Sequence, residues 1–255
     1  MKVTIVTVVL NCADYIGDCI RSVISQDYEK LEHIVVDGGS TDGTLSVIDN
    51  YKAHISCLLS ECDGGNYEAL NKGIKLATGD LIGILNADDL LAGIHVVSSI
   101  VACAKQNGCD AVYANLNVIK RSDKTRVIRR WRSKQYVRRD LEMGWMPPHP
   151  TLFVRKEILS ENTGYSRKYG CSGDYDFILQ LFYHQNIKAI FLDELVVCMR
   201  SGGLSNGSLA KMWRTLRNDY RVLVNNRIPN AWLAVILKRI RKAGQFSVAV
   251  RNVIS

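Results

Sequence analysis

Leu81-Ile82-Gly83-Ile84-Leu85-Asn86-Ala87-Asp88-Asp89 decides how this chain is read, because a short apolar run delivers two adjacent carboxylates at its C-terminal end. Like charges held side by side repel, and a divalent cation relieves the repulsion. Magnesium or manganese accepts one or two carboxylates and completes its shell with water and substrate phosphates, so a diphosphate ligand follows. The same pair also reads as a turn and N-cap before a helix over Leu90 to Ala104, since Asp is a favoured cap residue. The upstream sequence weighs between the two.

His33-Ile34-Val35-Val36-Asp37 is a second short run, rich in β-branched residues, that ends on an acid and enters Gly38-Gly39-Ser40-Thr41-Asp42-Gly43-Thr44. It reads as strand, Gly-rich turn and helix start. Glu61-Cys62-Asp63-Gly64-Gly65 again follows an apolar run, Ile55 to Leu59, and precedes a helical pattern from Asn66 to Ala77. Three strand ends therefore carry acids. In an open parallel sheet the strand C-termini share one edge, and ligands bind in the crevice outside it. Repetition favours a site over a cap; Glu61, directly after its strand, is read as a cap and left outside.

Five segments in this order resemble the family-2 glycosyltransferases: Thr4 to Asn11, Val35 to Thr44, Glu61 to Ile74, Ala77 to Asp89, and Gly173-Asp174-Tyr175-Asp176-Phe177. The resemblance runs from Lys2 to about Ser205. It implies an α/β chain of the GT-A nucleotide-diphospho-sugar transferase fold, with a mostly parallel central sheet and helices on both faces. The expected organisation is a catalytic domain over 1–205 and a helical, basic extension over 206–255.

The resemblance also implies roles. Val8, Val9 and Leu10 line the nucleotide base, Asp37 accepts hydrogen bonds from it, and Asp63 lies near base and ribose. Asn71 and Lys72 lie near ribose and diphosphate. The family's Asp-x-Asp triplet falls on Asn86, Ala87 and Asp88. Asn86 removes a charge but keeps an oxygen acceptor. Asp88 is then the principal ligand of Mn2+ or Mg2+, supported by Asp89. The family's base sits in a Glu-Asp pair opening a helix, which falls here on Gly173-Asp174. From the residues alone, Asp174 to His184 is an amphipathic helix with Phe177, Ile178, Leu181 and Phe182 inward, and Asp174 is a cap worth ~1 kcal/mol.

A hydroxyl is a poor nucleophile at neutral pH, so the expected mechanism has Asp174 take the acceptor's proton during attack on the anomeric carbon. The cation at Asp88 neutralises the departing nucleoside diphosphate. Attack opposite the leaving group inverts the configuration and needs no covalent glycosyl-enzyme. Met146-Pro147-Pro148-His149-Pro150-Thr151 is a rigid turn whose His149 resembles the family's acceptor-side His; the alternative is a His capping a turn. Arg200-Ser201-Gly202-Gly203-Leu204-Ser205 resembles a Gly-rich loop that closes over the diphosphate, and equally an ordinary linker.

At 255 residues and 47% hydrophobic content the chain can bury one large core. The helix Asp14 to Gln26 is expected to bury Ile16, Ile20, Val23 and Ile24, and Ala111 to Arg139 to supply antiparallel strands and an acceptor-facing loop. Eight cysteines show neither Cys-x-x-Cys nor zinc spacing and read as small core residues in a reducing compartment. Without a leader-like or spanning stretch, the expectation is cytoplasmic.

Net charge is +8, clustered at Lys120-Arg121, Arg126 to Arg139, Lys211 to Arg227 and Lys238 to Lys242. Trp232 to Leu237 beside that last cluster suits an interfacial helix on the anionic inner face of the cell membrane. Its alternative is a helix docked on the domain with a solvated basic face. Nucleic acid is not an expected partner, because no recognisable module accompanies the charge.

The expected partners are a nucleoside-diphosphate sugar, UDP-sugar by analogy, and a saccharide or lipid-linked saccharide of a surface polysaccharide. A hexosyl- or N-acetylhexosaminyl-transferase is the expected type. The alternatives are a sugar-nucleotide binder without transfer activity, suggested by Asn86 and Gly173, and a nucleotidyltransferase, whose N-terminal Gly-rich basic loop Val8 to Asp14 does not match.

Overall fold

A computed structural model describes residues 1–159, 163–202 and 209–251. In chain order the elements are β1 (Val3–Val9), α1 (Ala13–Ile24), β2 (Leu31–Asp37), α2 (Thr44–Asp49), β3 (Cys57–Ser60), α3 (Asn66–Leu76), β4 (Leu81–Asn86), β5 (Leu90–Leu91) and α4 (Val96–Asn107). They continue as β6 (Ala111–Lys120), β7 (Asp123–Trp131), α5 (Arg138–Glu142), β8 (Phe153–Arg155), α6 (Gly173–Leu179), β9 (Ala189–Arg200), α7 (Leu209–Asn225) and α8 (Ala231–Arg251).

One sheet runs β3-β2-β1-β4-β8-β6-β9-β5, with β7 paired to β6. The first four strands are parallel, and β6 and β9 are parallel to each other. Antiparallel β8 joins these two parts, and β5 and β7 also pair antiparallel, so the sheet is mixed. The antiparallel pairing expected after Ala111 is present. All seven β1 residues are buried, as a central strand covered on both faces requires.

Alternation along the strands divides the core in two. Val6, Val8, Ile34, Val36, Ile82 and Ile84 face one side, against Leu70 of α3, Phe177 and Ile178 of α6, Val222 and Leu223 of α7, and Ala234 and Val235 of α8. Ile5, Val9, Val35, Leu81 and Leu85 face the other, against Ile16, Ile20 and Val23 of α1 and Val97, Ile100 and Val101 of α4. Close approach on the first face needs Gly73, where a Cβ would lie 2.3 Å from Val6 Cγ1.

Two expectations are corrected here. Ile24, at the end of α1, is 37% exposed rather than part of the core. The helix expected from Leu90 begins only at Val96, because Leu90 and Leu91 form a short strand on Cys198 and Val197. Asp88 and Asp89 therefore cap no helix.

Helices α7 and α8 pack into the first core. Ala234 and Val235 are buried, and at Gly144, with φ +74°, a Cβ would strike the Ala234 carbonyl. Lys238 Nζ lies 3.0 Å from Asp219 and 3.6 Å from the Tyr175 ring centroid, while Arg241 donates to the Met143 carbonyl. The basic cluster of α8 is thus largely turned inward, not spread on a solvated face. No helix among the described residues is long and apolar enough to cross a membrane.

Candidate active site

Register aligns the strand ends. Val9 lies opposite Asp37, Asp37 opposite Ser60, and Val8 opposite Asn86, so the acids following β2, β3 and β4 gather along one edge. Val8 and Val9 are buried with side chains in opposite cores, so they can line a ligand only through backbone; Leu10 is 56% exposed.

Asp37 is fully buried, and its carboxylate accepts from Ser60 Oγ at 2.7 Å, from Ser40 Oγ, and from the Gly39 and Ser40 amides. Through those donors Asp37, expected to meet the base, holds the loop that follows β2. That loop is stitched onward: Asn11 Oδ1 accepts from the Thr41 amide at 2.9 Å, and Thr44 Oγ1 from the Cys12 amide at 2.8 Å. Asp63 accepts from the Gly65 amide at 2.7 Å and lies against Gly38, where a Cβ would be 2.9 Å from its Oδ2.

Asn71, expected near ribose and diphosphate, holds a distant segment. Its Nδ2 donates to the Tyr165 carbonyl at 2.9 Å and its Oδ1 accepts from the Tyr165 amide at 2.8 Å, so both amide ends dock a segment 94 residues away. Lys72 pairs with Glu61 at 2.7 Å and Glu68 at 3.3 Å; Glu61, read as a cap, is its nearer partner.

At the end of β4, Asp88 is half-buried and Asp89 almost wholly buried. Asp89 Oδ2 accepts from Asn86 Nδ2 at 2.9 Å and Oδ1 from the Arg200 amide at 3.0 Å. Burial, then the charge of Asp88, pushes its carboxyl up to about 7. Each oxygen of Asp89, expected to support the metal, already accepts one hydrogen bond, and the pair fixes Asn86 and the end of β9. Ala87 is buried. Asp88 is paired with Arg121 at 3.0 Å.

Arg200, expected on the acceptor or diphosphate side, is packed against Asp88 and Asp18. It is 5% exposed, donates to the Asp88 carbonyl at 2.8 Å and to Asp18, and lies 4.8 Å from the Tyr15 ring centroid. Gly202, at φ +97°, approaches Arg121, to whose Cδ an added Cβ would be 3.6 Å. Gly203 lies outside the described residues.

Asp174 opens α6, half-buried, accepting from the Tyr175 amide at 2.8 Å, while its own amide donates to Tyr67 Oη at 3.2 Å. Tyr67 and Tyr165 stack at 5.6 Å, Tyr165 and Phe177 at 4.2 Å, and His149 shares a hydrogen bond with Tyr165 Oη. Burial, opposed by the Asp174 charge, holds the His149 imidazole below its usual pKa; burial and that same charge raise the Tyr67 and Tyr165 phenols. Asp174 thus sits in an aromatic setting beside a neutral His149. The sequence reading missed Tyr67, Tyr165, Tyr15, Asp18 and Arg121. Arg121 alone left a trace, as a basic residue in a cluster.

Residues 4–162 match the family described as glycosyl transferase family 2. An uncharacterised glycosyltransferase of Mycobacterium tuberculosis is 30% identical over 179 residues, covering 70% of this chain and 68% of that protein. The chain belongs to glycosyl transferase family 2. A PGL/p-HBAD biosynthesis glycosyltransferase of M. tuberculosis is 27% identical over 257 residues, 99% of this chain and 96% of that one. Among solved structures, the mannosyltransferase PcManGT from Pyrobaculum calidifontis, in complex with GDP-Man and Mn2+, superposes with TM-score 0.66 at 19% identity, over 92% of this chain and 69% of that one. Glucosyl-3-phosphoglycerate synthase from M. tuberculosis, with Mn2+ and UDP-glucose, gives 0.63 at 17%, over 90% and 80%. S. aureus TarS in complex with UDP gives 0.65 at 18%, over 91% and 68%. These likenesses show the GT-A fold.

The residues here fit a divalent cation that a substrate completes, not a preformed cage. Asp88 offers one half-buried carboxylate, already holding a cationic guanidinium, and Asn86 a neutral amide oxygen. Among the described residues no three His, Cys, Asp or Glu gather to hold a metal. One carboxylate with substrate phosphates is within the habit of Mg2+ and Mn2+.

Proposed function

We propose that this glycosyltransferase moves a sugar from a UDP-sugar to a hydroxyl of a saccharide or lipid-linked saccharide, with inversion and with a divalent cation at Asp88. The observation that carries this reading is the parallel register of β1 to β4, whose ends lead into Asp63, Asn86 and Asp88 along one edge beside the exposed Leu10.

Asp174 is the base. The carboxylate oxygen not used by the Tyr175 amide accepts the acceptor's proton as its oxygen bonds to the anomeric carbon and the bond to the diphosphate breaks. A cation held by Asp88 supplies charge neutralisation for the leaving diphosphate. His149, neutral and tied to Tyr165, orients rather than titrates. UDP as the nucleotide draws support from the UDP bound to TarS and the UDP-glucose bound to the synthase; the GDP-Man of PcManGT is the rival donor class.

A lipid-linked acceptor draws support from the near full-length PGL/p-HBAD biosynthesis relative and from an apolar face on α7 and α8. Trp213, Trp232, Ile236 and Ile240 are each more than half exposed, with Arg214, Arg217 and Arg221 exposed on α7. Such a face suits the surface of an anionic leaflet, with the enzyme on its cytoplasmic side. Residues 1–205 are then the catalytic part and 206–255 the part that meets the lipid.

Thermal-shift screening of nucleoside diphosphates with and without Mn2+, followed by NMR of the product's anomeric carbon, tests the reading. Stabilisation by UDP that needs Mn2+, and an inverted product, are expected. Stabilisation by GDP alone would replace the donor, and a retained configuration would remove Asp174 as a simple base.

A further inference from the structure

Arg121 occupies the tight turn between β6 and β7, far in sequence from every strand end that forms the candidate site. The turn is sewn to the end of β9: the Arg121 amide donates to Ser201 Oγ at 3.2 Å, and the Ser201 amide to the Ile119 carbonyl at 2.9 Å. This brings the guanidinium over the Tyr15 ring, 4.3 Å from its centroid, with Nη1 3.0 Å from Asp88 Oδ2.

The neighbouring cations are already committed. Arg200 and Arg21 donate to Asp18, and Lys124 Nζ lies 3.6 Å from the same carboxylate. Arg200 is buried as well. Arg121 differs: its side chain is 41% exposed and its carboxylate partner is Asp88, the residue assigned to the cation. A small divalent ion demands near-octahedral oxygen ligation, so it competes with the guanidinium for that carboxylate.

Charge shows where the guanidinium then goes. A divalent cation on one carboxylate leaves a single positive charge, against a donor diphosphate carrying two negative ones and gaining more as the sugar leaves. The neutral Asn86 adds nothing to either side. A planar guanidinium stacked on Tyr15 can leave Asp88 without leaving the site, and its fork matches phosphate oxygens.

We propose that Arg121 is the counter-ion of Asp88 in the donor-free enzyme and binds the donor's diphosphate once a divalent cation takes Asp88. The proposal rests on the reading of Asp88 as the cation's carboxylate. It makes Arg121 a diphosphate-binding residue whose exchange couples cation entry to nucleotide entry.

The test is a pair of titrations on the full chain: Mn2+ alone, followed by electron paramagnetic resonance, and UDP at saturating Mn2+, followed by calorimetry. With Arg121→Gln, free Mn2+ should bind about 10-fold tighter and UDP about 10-fold weaker, the scale of one charge-assisted hydrogen bond. Opposite signs are the signature. Arg121→Lys keeps the charge without the fork and should fall between wild type and Arg121→Gln in both titrations; it carries the test if Arg121→Gln does not fold. Unchanged affinities, or both weakening together as for a mere brace of the hairpin, would overturn the proposal. Asp88→Asn separates the underlying reading: if it binds Mn2+ and UDP as wild type does, Asp88 is not the cation's seat whatever Arg121 does.

Discussion

The ring of Tyr67 fills the space that a side chain at position 173 would need. A Cβ on Gly173 would lie 2.6 Å from Tyr67 Cε2 and 2.7 Å from the Ser166 carbonyl, and Tyr67 Oη receives the Asp174 amide. Where the resemblance would put a Glu, this chain has a glycine whose missing side-chain space is taken by a tyrosine from α3. Gly173→Ala should destabilise the protein by about 1–3 kcal/mol, the usual cost of overpacking, and Tyr67→Ala in the same chain should recover part of it. Urea unfolding of the two single variants and the double reads the coupling. Additive losses would mean that ring and glycine are not matched.

Asp174→Asn keeps the shape and the acceptor oxygen for the Tyr175 amide but cannot take a proton. If Asp174 is the base proposed above, turnover should drop about 100-fold or more while UDP-sugar affinity holds. Single-turnover rates and donor binding, measured on the same preparation, check this. Turnover near wild type would return Asp174 to the role of helix cap.

Asp88 and Asp89 are adjacent but should separate cleanly. Asp89→Ala strips partners from the Arg200 amide and the Asn86 amide, both close to the core, and should lower stability by about 2–3 kcal/mol. Asp88→Ala should leave the melting temperature nearly unchanged without ligand and abolish its rise with Mn2+ and UDP. Equal melting losses for the two would contradict the division of roles.

What the sequence made legible was local. Runs such as His33 to Asp37 and Leu81 to Asn86 announce both the strand and its acid within a few residues, and the strands form with the acids at one edge. Partners distant in sequence were hidden. Leu90-Leu91 becomes a strand only because Val197 and Cys198 lie beside it, and the clamp that Asn71 makes exists only because Tyr165 arrives from 94 residues away. Charge misled in the same way. Lys238 and Arg241 look like a solvated basic face until Asp219, the Tyr175 ring and the Met143 carbonyl are set against them. Residue type gave the chemistry available; only the tertiary contacts said where each group was already spent.

His33 and Glu32 adjoin on β2 and should make acid unfolding proceed in two stages. His33 is buried, with Nε2 2.9 Å from Thr7 Oγ1 and Nδ1 without a partner among the described residues, and burial lowers its pKa from 6.5 to about 4. The unfolded chain takes a proton there that the folded chain refuses, so stability falls as pH drops from 6.5 toward 4, by at most about 1.4 kcal/mol per pH unit. For Glu32, burial alone would raise the carboxyl, but Lys2, Thr4 and Thr78 outweigh it and hold the value at about 2. That contribution is present above 4.5 and is lost as pH falls toward 2. His33→Gln should flatten the first stage and leave the second. Urea midpoints across pH 2 to 7, about half a unit apart, read both stages.

The α7–α8 surface yields a prediction that separates lipid contact from folding. Deleting the last helix would remove Ala234 and Val235 from the core and expose Gly144, so truncation cannot isolate a surface role. Point changes can. Trp232, Ile236 and Ile240 are 67%, 54% and 60% exposed and lie along one face at helical spacing, whereas Lys238 is paired inward with Asp219. Trp232→Ser with Ile236→Ser should release the protein from vesicles containing phosphatidylserine while leaving its melting temperature within a few degrees of wild type. Lys238→Ala should do the reverse, lowering stability by leaving Asp219 buried without its cation, with vesicle binding kept below the melting point. Sedimentation with anionic and neutral vesicles gives the readout. If the serine variant pellets as wild type does, the exposed face is not what meets the lipid, and a lipid-linked acceptor loses its structural support.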